Sequence, residues 1–395
     1  MLVFPQLFNT TEFKTMCSSI SYANQMVMCE SNLDSKKNNL KSCYNFKLIP
    51  DYITLNLKNT HYKPVKIKQQ NLGYAVALDG CNTIEDYMQK QFNSKKRNIL
   101  NRFVKRLEHC FQITYQMHLG NLNKDVYDSI MEALHQMILK RFDERNETHK
   151  NLKEWESLVK NTYQKIVLNQ ASLFVIYNQD NPIEISLNYH FNNILFSYIS
   201  SYDIDYSKFG LGHVEIYKQL EWCVKNGYVL FEMGVGGMDY KRRWSNKIYY
   251  YNQYIIYHSN KLTSFVLGNY QIIFYKIKEF LKLKGVNQLG QILNKIMVKT
   301  PGKCKSYEPL NLEPLTALNC LGQPWIEIDC SATPFQFLNR YRNDFLYTSL
   351  EQSKATKVYQ IPNGNYVIMG LKHIQTIKKI NTTKNRLNIS TDKMV

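Results

Sequence analysis

The chain has 395 residues, 44% of them hydrophobic and 21% charged, with a formal net charge of +18. This composition excludes a globally disordered chain, and the length predicts two or three domains with a sizeable core. The positive charge favours anionic partners, among them nucleic acid, phosphorylated cofactors, a membrane surface and acidic glycans.

The nine cysteines and the N-terminal segment indicate the cellular compartment. The cysteines are scattered and form no Cys-x-x-Cys pair, a pattern typical of reduced thiols and not of a zinc ribbon. The start, MLVFPQLFNTTEF, lacks the charged lead and the long apolar core of a signal peptide. No uncharged apolar run approaches the roughly 18 residues that a membrane-spanning helix needs. We therefore expect a soluble protein in the cytoplasm.

The first elements along the chain carry no recognisable chemistry. Short apolar pieces, DYITLNL and GYAVAL, predict strands within residues 1–90. SKKRNILNRFVKRLEH (94–109) predicts a helix with an apolar stripe and a basic face. A strand, FQITYQMHL, and a second periodic helix follow, and a charged connector leads to another helical stretch.

The next segment predicts an antiparallel meander followed by a glycine-marked helix. SLFVIYNQDNPIEISLNYHFNNILFSYISSYD contains three strand-like runs and two tight turns. Gly210 and Gly212 then flank Leu211 where the helix begins. Glycines at a helix start let backbone N–H groups approach a diphosphate, with Lys208 as a nearby cation and His213 at the helix start. The dinucleotide fingerprint and the Walker motif are absent.

An apolar strand leads into FEMGVGGMDYKRRWSNK (231–247), which joins glycines, an acid and a Lys-Arg-Arg run. The run allows two interpretations, a solvated charged loop or the edge of a site for an anionic ligand. Its position after the meander and the glycine-marked helix favours the second interpretation.

The segment GHVEIYKQLEWCVKNGYVLFEMGVGGMDYKRRWSN resembles the acetyltransferase branch of the GNAT superfamily that is associated with the biosynthesis of cellulose and other polysaccharides. That branch shares the fold of the Fem peptidyl transferases. Its pattern is an apolar strand with an acid, a glycine turn, and then Asp-x-x-Tyr-Lys-x-x-Trp or a close variant. Glu232 occupies the strand acid and Gly234 begins the turn. The closing signature is matched by Asp239, Tyr240, Lys241 and Trp244, with Asp239 directly adjacent to Tyr240.

Upstream segments extend the resemblance to roughly residues 90–250. The basic helix with Arg97 and the HQMILKRF helix with Arg141 are similar to the family's opening half. DNPIEISLNYHFNN resembles its Gly-x-Pro-Ile-Ala hairpin, and YISSYD resembles the following strand, with Tyr202. One position departs from the pattern, since Ser207 stands where many GNAT enzymes have Arg or Gln before the diphosphate loop.

The resemblance implies an α+β fold, a GNAT-like mixed sheet of the tandem, Fem type flanked by helices, with a small appended C-terminal α/β module. It implies a GNAT-type N-acetyltransferase or O-acyltransferase that moves an acyl group from acetyl-CoA or another acyl-CoA to an amine or hydroxyl by direct attack. We expect a small-molecule or glycan acceptor, such as a sugar, a polysaccharide precursor or a cell-envelope component.

The same resemblance divides the site residues into three groups. The catalytic group is Glu232, Asp239, Tyr240, Lys241 and Tyr202. The cofactor-binding group is Lys208, Gly210, Leu211, Gly212 and His213. The substrate-binding group is Arg97, Arg141, Arg243 and Trp244, of which Trp244 is expected mainly to anchor packing. Glu232 is the first choice as general base, because burial at a strand end raises a carboxyl pKa, and a salt bridge to Lys241 or Arg242 is the competing interpretation.

The segments outside the resemblance complete the predicted organisation. The predicted units are an N-terminal α/β half-domain (1–90), the GNAT-like acyltransferase domain (91–268), a basic amphipathic helix region (269–300), a linker (301–318), a small C-terminal module (319–385) and a frayed tail (386–395). The helix YQIIFYKIKEFLKLK is expected to pack on its own domain, with a peripheral membrane contact as the alternative. LKHIQTIKKI predicts a closing helix in the C-terminal module.

Two other functions fit parts of the sequence. A Fem-like peptidyl transferase that uses aminoacyl-tRNA would suit the net charge of +18, although no sustained heptads predict the coiled-coil arm of such enzymes. A non-enzymatic, basic nucleic-acid-binding protein is the other, because YQIPNGNYVIMGLKHIQTIKKI faintly resembles the strand–helix core of ParB-like nucleoid proteins.

Overall fold

The computed structural model describes residues 4–22, 25–28, 41–145, 154–236, 238–285, 310–314, 325–361 and 365–379. The predicted tail (386–395) and most of the predicted linker (301–318) lie outside these residues. The α-helices are α1 (Phe4–Phe8), α2 (Thr11–Met16), α3 (Ile84–Gln91), α4 (Ser94–Cys110), α5 (Lys124–Arg145), α6 (Trp155–Val167), α7 (Leu211–Lys225), α8 (Asp239–Trp244), α9 (Leu262–Leu283) and α10 (Leu338–Ser349). Short 3₁₀ turns occupy Ile204–Phe209, Thr333–Phe335 and Ser353–Ala355.

The strands fall into three sheets. They are β1 (Cys17–Tyr22), β2 (Gln25–Met28), β3 (Cys43–Pro50), β4 (Thr54–Leu57), β5 (Tyr62–Ala77), β6 (Ile113–His118), β7 (Ala171–Asn178), β8 (Asn181–Phe191), β9 (Ile194–Tyr202), β10 (Leu230–Val235), β11 (Lys247–His258), β12 (Leu310–Pro314), β13 (Ile326–Ile328), β14 (Lys357–Ile361), β15 (Asn365–Met369) and β16 (Ile374–Lys379). A small sheet has the order β2-β1-β4, and the largest has the order β3-β11-β5-β10-β9-β8-β7-β6.

The eight-stranded sheet is mixed, since β9 and β10 pair in parallel and every other pair of neighbouring strands is antiparallel. Helices cover both faces. On one face α5 and α6 pack a core that includes Leu134 and Ile199. On the other face α3, α4 and α7 pack around Leu220 and Phe231. The expected mixed sheet flanked by helices, with an appended C-terminal module, is therefore confirmed.

The predicted meander is confirmed as β7, β8 and β9, joined in antiparallel register. Its two turns contain Gln179 and Asn192, with φ of 56° and 50°. Asn tolerates the left-handed region because its side chain bonds the local backbone. β8 is buried almost throughout because helices cover both of its faces, although polar residues such as Glu184, Ser186 and Asn188 alternate with its apolar ones.

The C-terminal module contains α10 and a five-stranded sheet in the order β12-β16-β15-β14-β13. The helix predicted for LKHIQTIKKI is wrong, because this segment contains the strand β16. β16 lies between β12 and β15 and pairs with both. Pairing on both edges satisfies the backbone, so the tertiary context overrides the local helical pattern. β12 itself falls within the predicted linker.

The amphipathic helix α9 begins at Leu262, ahead of the predicted start at Tyr270. It packs against β11 and β5. A Cβ atom at Gly268 would lie 2.5 Å from the ring of Tyr257, so a glycine is required for this close approach. Among the helices of the described residues, none is both long enough and apolar enough to cross a membrane.

Candidate active site

A gap opens between two neighbouring strands of the large sheet. β9 and β10 are paired at three positions, and the last pair joins Phe196 to Glu232. β9 nevertheless continues to Tyr202 and β10 to Val235. Beyond Glu232, the described residues give β10 a strand partner only on its other edge, where Val235 pairs with Gly73. The backbone of β9 on the side of the gap is therefore free to meet a ligand.

A cavity of about 370 Å³ lies at this gap. Its walls come from the end of α5, from β9, the start of α7, β10 and α8. The predicted site residues that line it are Arg141, Tyr202, Gly210, Leu211, Gly212, His213, Tyr240 and Lys241. The structure thus brings residues that are about one hundred positions apart to one cavity.

The first turn of α7 forms one wall of the cavity. Gly210 caps this helix with φ of 63°, in the left-handed region that favours glycine. A Cβ atom there would also lie 2.9 Å from the ring of Phe103. Both the backbone conformation and the lack of space therefore exclude a side chain at this position. At Gly212 the nearest atom to an added Cβ is 3.9 Å away, on Tyr202, which leaves room above the helix end. A helix N-terminus open to a cavity favours an anionic group.

His213 is held in a fixed orientation by Trp244. The indole Nε1 donates a hydrogen bond of 3.0 Å to Nδ1 of His213, and the imidazole stacks on Phe103. Burial, with a smaller contribution from the charges of Lys96 and Arg243, lowers the pKa of His213 to about 4. The ring is therefore neutral near pH 7, and its proton lies on Nε2. Trp244 itself is 1% exposed, as expected of a packing anchor.

Glu232 is fully buried at the last paired position of β9 and β10. The Tyr52 hydroxyl donates to Oε2 at 2.9 Å, and the Gly234 amide donates to Oε1 at 2.8 Å. Burial raises its pKa to about 7, although these hydrogen bonds oppose the rise. Its chain neighbours Phe231 and Met233 line the cavity, whereas Glu232 faces the opposite side of the sheet.

Lys241 and Tyr240 approach the cavity from α8. The ammonium group of Lys241 donates to the carbonyl oxygens of Met233 and Val235, at 2.6 and 3.1 Å. Burial lowers its pKa, although the charges of Glu232 and Glu215 oppose this. Burial raises the pKa of Tyr240 to about 12, so its hydroxyl keeps its proton at neutral pH.

Two buried carboxyls at the contact between α7 and the sheet were not predicted from the sequence. Glu215 lines the cavity, accepts a hydrogen bond of 2.6 Å from Gln219, and has a pKa raised by burial to about 7. Glu184 on β8 is 1% exposed, and neither of its carboxylate oxygens has a hydrogen-bond partner among the described residues. Arg141 lies close enough to lower the pKa of both, and its guanidinium is 4.6 Å from the Tyr202 ring.

Six predicted site residues lie outside the cavity walls, namely Glu232 and Trp244, described above, and four others. Lys208 forms an ion pair of 3.1 Å with Asp344 in the C-terminal module. Arg97 donates at 2.6 Å to the carbonyl oxygen of Phe92, at the end of α3. Asp239 and Arg243 are exposed on α8.

A larger cavity, of about 770 Å³, separates the large sheet from the C-terminal module. Its lining is polar and includes Asp203, Asp205, Asp329 and Arg342. It meets neither the strand gap nor the start of α7. We therefore take the smaller cavity as the candidate site.

Residues 94–242 match the family model described as an acetyltransferase (GNAT) domain. No curated protein matches the chain. Similar solved structures include a conserved protein of unknown function from Bacteroides thetaiotaomicron VPI-5482, with 9% identity over 50% of this chain and 62% of that chain and a TM-score of 0.36. L-PGS from Bacillus licheniformis has 15% identity over 52% of this chain and 66% of that chain, with a TM-score of 0.34. FemX has 10% identity over 50% of this chain and 63% of that chain, with a TM-score of 0.26.

The chain thus spans less than two thirds of the length of each of these structures. The family match begins with α4 and ends within α8, so it encloses the meander, the strand gap and the start of α7. Residues 94–242 are therefore a GNAT-like domain, built into a sheet to which β3, β5 and β11 also contribute.

Proposed function

We propose that the protein is an acyltransferase that moves an acetyl or other acyl group from acyl-CoA to an amine or hydroxyl. The observation that carries this proposal is the gap between β9 and β10, which opens onto the start of α7 inside the segment that matches a GNAT domain. The resemblance to the polysaccharide-associated branch favours a sugar, a polysaccharide precursor or a cell-envelope component as the acceptor.

The donor would lie along the gap with its diphosphate at the first turn of α7. The partial positive charge of the helix end and the open space above Gly212 both favour this position. Lys96 and Arg243 lie near His213 and add positive potential at the same end. The thioester would then lie between the separated strands, where the backbone of β9 is unpaired on that edge.

In the proposed reaction the acceptor nitrogen or oxygen bonds to the thioester carbonyl carbon, and the C–S bond breaks. Glu232 takes the acceptor proton, because a carboxyl with a pKa of about 7 is suited to proton transfer near neutrality. CoA leaves as a thiolate and takes a proton from Tyr240, with Tyr202 as the second tyrosine at the cavity. Lys241 supplies positive charge for the tetrahedral oxyanion. A role for Asp239 stays a prediction.

Thermal unfolding of the full chain with acetyl-CoA tests the donor. A hundredfold excess over Kd should raise the melting temperature by about 5 °C. Gly212→Glu should abolish the rise, because it places a carboxylate where the diphosphate would lie. The variant is expected to fold, because there is space for a side chain at Gly212 and the helix dipole stabilises a carboxylate at the N-terminus.

Asn226→Glu is the matched control, because it adds the same charge at the exposed far end of α7 and should keep the full rise. The alternative donor is aminoacyl-tRNA. No shift with acetyl-CoA or a longer acyl-CoA, together with tight and salt-sensitive binding of tRNA, would replace the acyl-CoA proposal with that alternative.

A further inference from the structure

Helix α9 presents two sharply different faces. Its inner face packs on the sheet through Ser264, Gly268, Ile272 and Glu279, which are buried. Its outward face is apolar along the whole helix, at positions spaced three and four residues apart. The exposed apolar residues include Leu262 (78%), Val266 (59%), Tyr270 (66%), Ile273 (59%), Ile277 (53%) and Phe280 (56%).

The charges of α9 are placed beside this apolar face. Lys276 and Lys278 are exposed and lie on opposite flanks of the outward stripe at a period of 3.6 residues. Lys284 follows the last turn and is also exposed. The single acid of the helix, Glu279, is 5% exposed and faces inward, where it accepts the Gln70 amide at 2.7 Å and pairs with Lys282. The accessible charges of the helix are therefore all positive.

This distribution separates α9 from an ordinary surface helix. A solvated helix turns its polar side outward, and α9 turns its apolar side outward instead. The exposed stripe covers 22 residues, a length of about 33 Å. A second copy docked on the same face would bring like charges together, and the whole chain already carries a net charge of +18. An anionic, apolar surface complements both the lysines and the stripe.

We propose that α9 lies in the interface of an anionic lipid bilayer, parallel to the membrane plane, and holds the protein there peripherally. The apolar side chains would enter the boundary between headgroups and acyl chains, to a depth of about 5–10 Å. The lysines on the flanks would extend along the apolar surface to reach the phosphates. This inference stands independently of the acyltransferase proposal.

Sedimentation of the full chain with lipid vesicles tests the inference. Vesicles of phosphatidylcholine with about 30% phosphatidylglycerol should bind the protein at least about tenfold more strongly than pure phosphatidylcholine. Ile273→Glu with Ile277→Glu should lower binding at least about tenfold, because two charges would enter the apolar layer. Lys276→Ala with Lys278→Ala should lower binding to the anionic vesicles about 25-fold, at about fivefold for each lysine.

Leu168→Glu with Leu371→Glu is the matched control, because both residues are exposed, at 62% and 76%, and lie outside α9. This variant should bind like the wild type. Circular dichroism checks the fold of each variant, and the lysine variant keeps the test decisive if the glutamate variant unfolds. Equal binding to both vesicle types, or an equal loss in the control, overturns the proposal. A dimer in light scattering that Ile273→Glu with Ile277→Glu dissociates would assign the face to a second copy instead.

Discussion

Glu232 and Glu215 approach the strand gap from opposite faces of the sheet. Glu215 lies on the α7 side, which the donor would occupy, whereas Glu232 lies on the side of Tyr52. Burial raises the pKa of each to about 7. A nucleophile that attacks the thioester from the side opposite α7 would meet Glu232 and not Glu215. We therefore propose Glu232 as the base on its position, and not on its pKa alone.

Glu232→Gln should lower kcat by about 10²–10⁴-fold, the usual contribution of a general base. In the wild type kcat/KM should rise with pH through about 7, because only the ionised carboxyl accepts a proton, and the variant should lose this limb. Release of CoA thiol from acetyl-CoA across the pH range, with an amino sugar as the probe acceptor, measures both effects.

Glu215→Gln is the control, because it removes a second buried carboxyl of similar pKa and keeps an acceptor for Gln219. It should retain the pH limb and most of the activity. If Glu215→Gln removed the limb and Glu232→Gln kept it, the base would be Glu215.

Single residues were predictable where they belong to a local motif. The strand acid Glu232 and the buried Trp244 were found from the order of residues around a glycine turn. Glu215 was not, because Glu215 and Gln219 follow the i, i+4 spacing of an ordinary polar helix face. Both are nevertheless buried. These two residues face inward because the strands opposite them carry Ser186 and Ser200, which form hydrogen bonds with Glu215.

At the scale of elements, α7 packs on the sheet through polar side chains as well as through its apolar core residues. The polar layer joins Glu215 and Gln219 of the helix to Glu184 and Ser186 of β8. Such a layer stabilises a fold only where every polar atom has a partner. Glu184 lacks one among the described residues, so it weakens this interface.

Glu184→Met should raise the free energy of unfolding by about 1–3 kcal/mol, the usual cost of a buried polar group without a hydrogen-bond partner. Burial raises the pKa of Glu184 well above its ordinary value, and the charge of Glu215 adds to the rise. The folded chain therefore holds a proton that the unfolded chain releases, and wild-type stability falls as pH rises above the ordinary carboxyl pKa of about 4.3. The gain from Met should accordingly be larger at about pH 8 than at about pH 5. Urea unfolding at the two pH values measures it.

Glu156→Met is the control for this prediction, because Glu156 is exposed on α6. It should change stability by less than about 0.5 kcal/mol at either pH. A loss of stability in Glu184→Met would mean that the carboxyl has a native partner and is needed for the fold.

Helices and strands, like single residues, were predictable where the signal in the sequence is local. The meander and α7 were predictable because turn residues and apolar periodicity are local signals. β16 was not, because its two neighbours are β15, across a short turn, and β12, which lies about 60 residues earlier. Long-range pairing of this kind decides between helix and strand without any local trace.

At the scale of the whole molecule, the GNAT-like segment does not form the sheet alone. β5 from the N-terminal part of the chain inserts between β10 and β11, and β3 closes the edge beyond β11. The resemblance to the family ends near residue 250 and carries no information about these partners. The sequence predicted strands in residues 1–90, but a single sequence does not specify which strands they join.

The C-terminal module shares a core with the GNAT-like domain, and this makes a prediction about cooperativity. Leu346 of α10 is fully buried in one cluster with Val214 of α7, and Phe209 packs edge-on against Tyr347 at 5.1 Å. Leu346→Ala should cost about 2–5 kcal/mol and lower the temperature of a single unfolding transition that includes the proposed acyl-CoA site. Calorimetry with and without acetyl-CoA should show one transition in both wild type and variant, with Leu371→Ala as an exposed control that leaves it unchanged. Two transitions, of which the variant shifts only the one that acetyl-CoA does not affect, would mean that the module unfolds independently. A shared transition would instead mean that the C-terminal module, which lies outside the matched family segment, stabilises the start of α7.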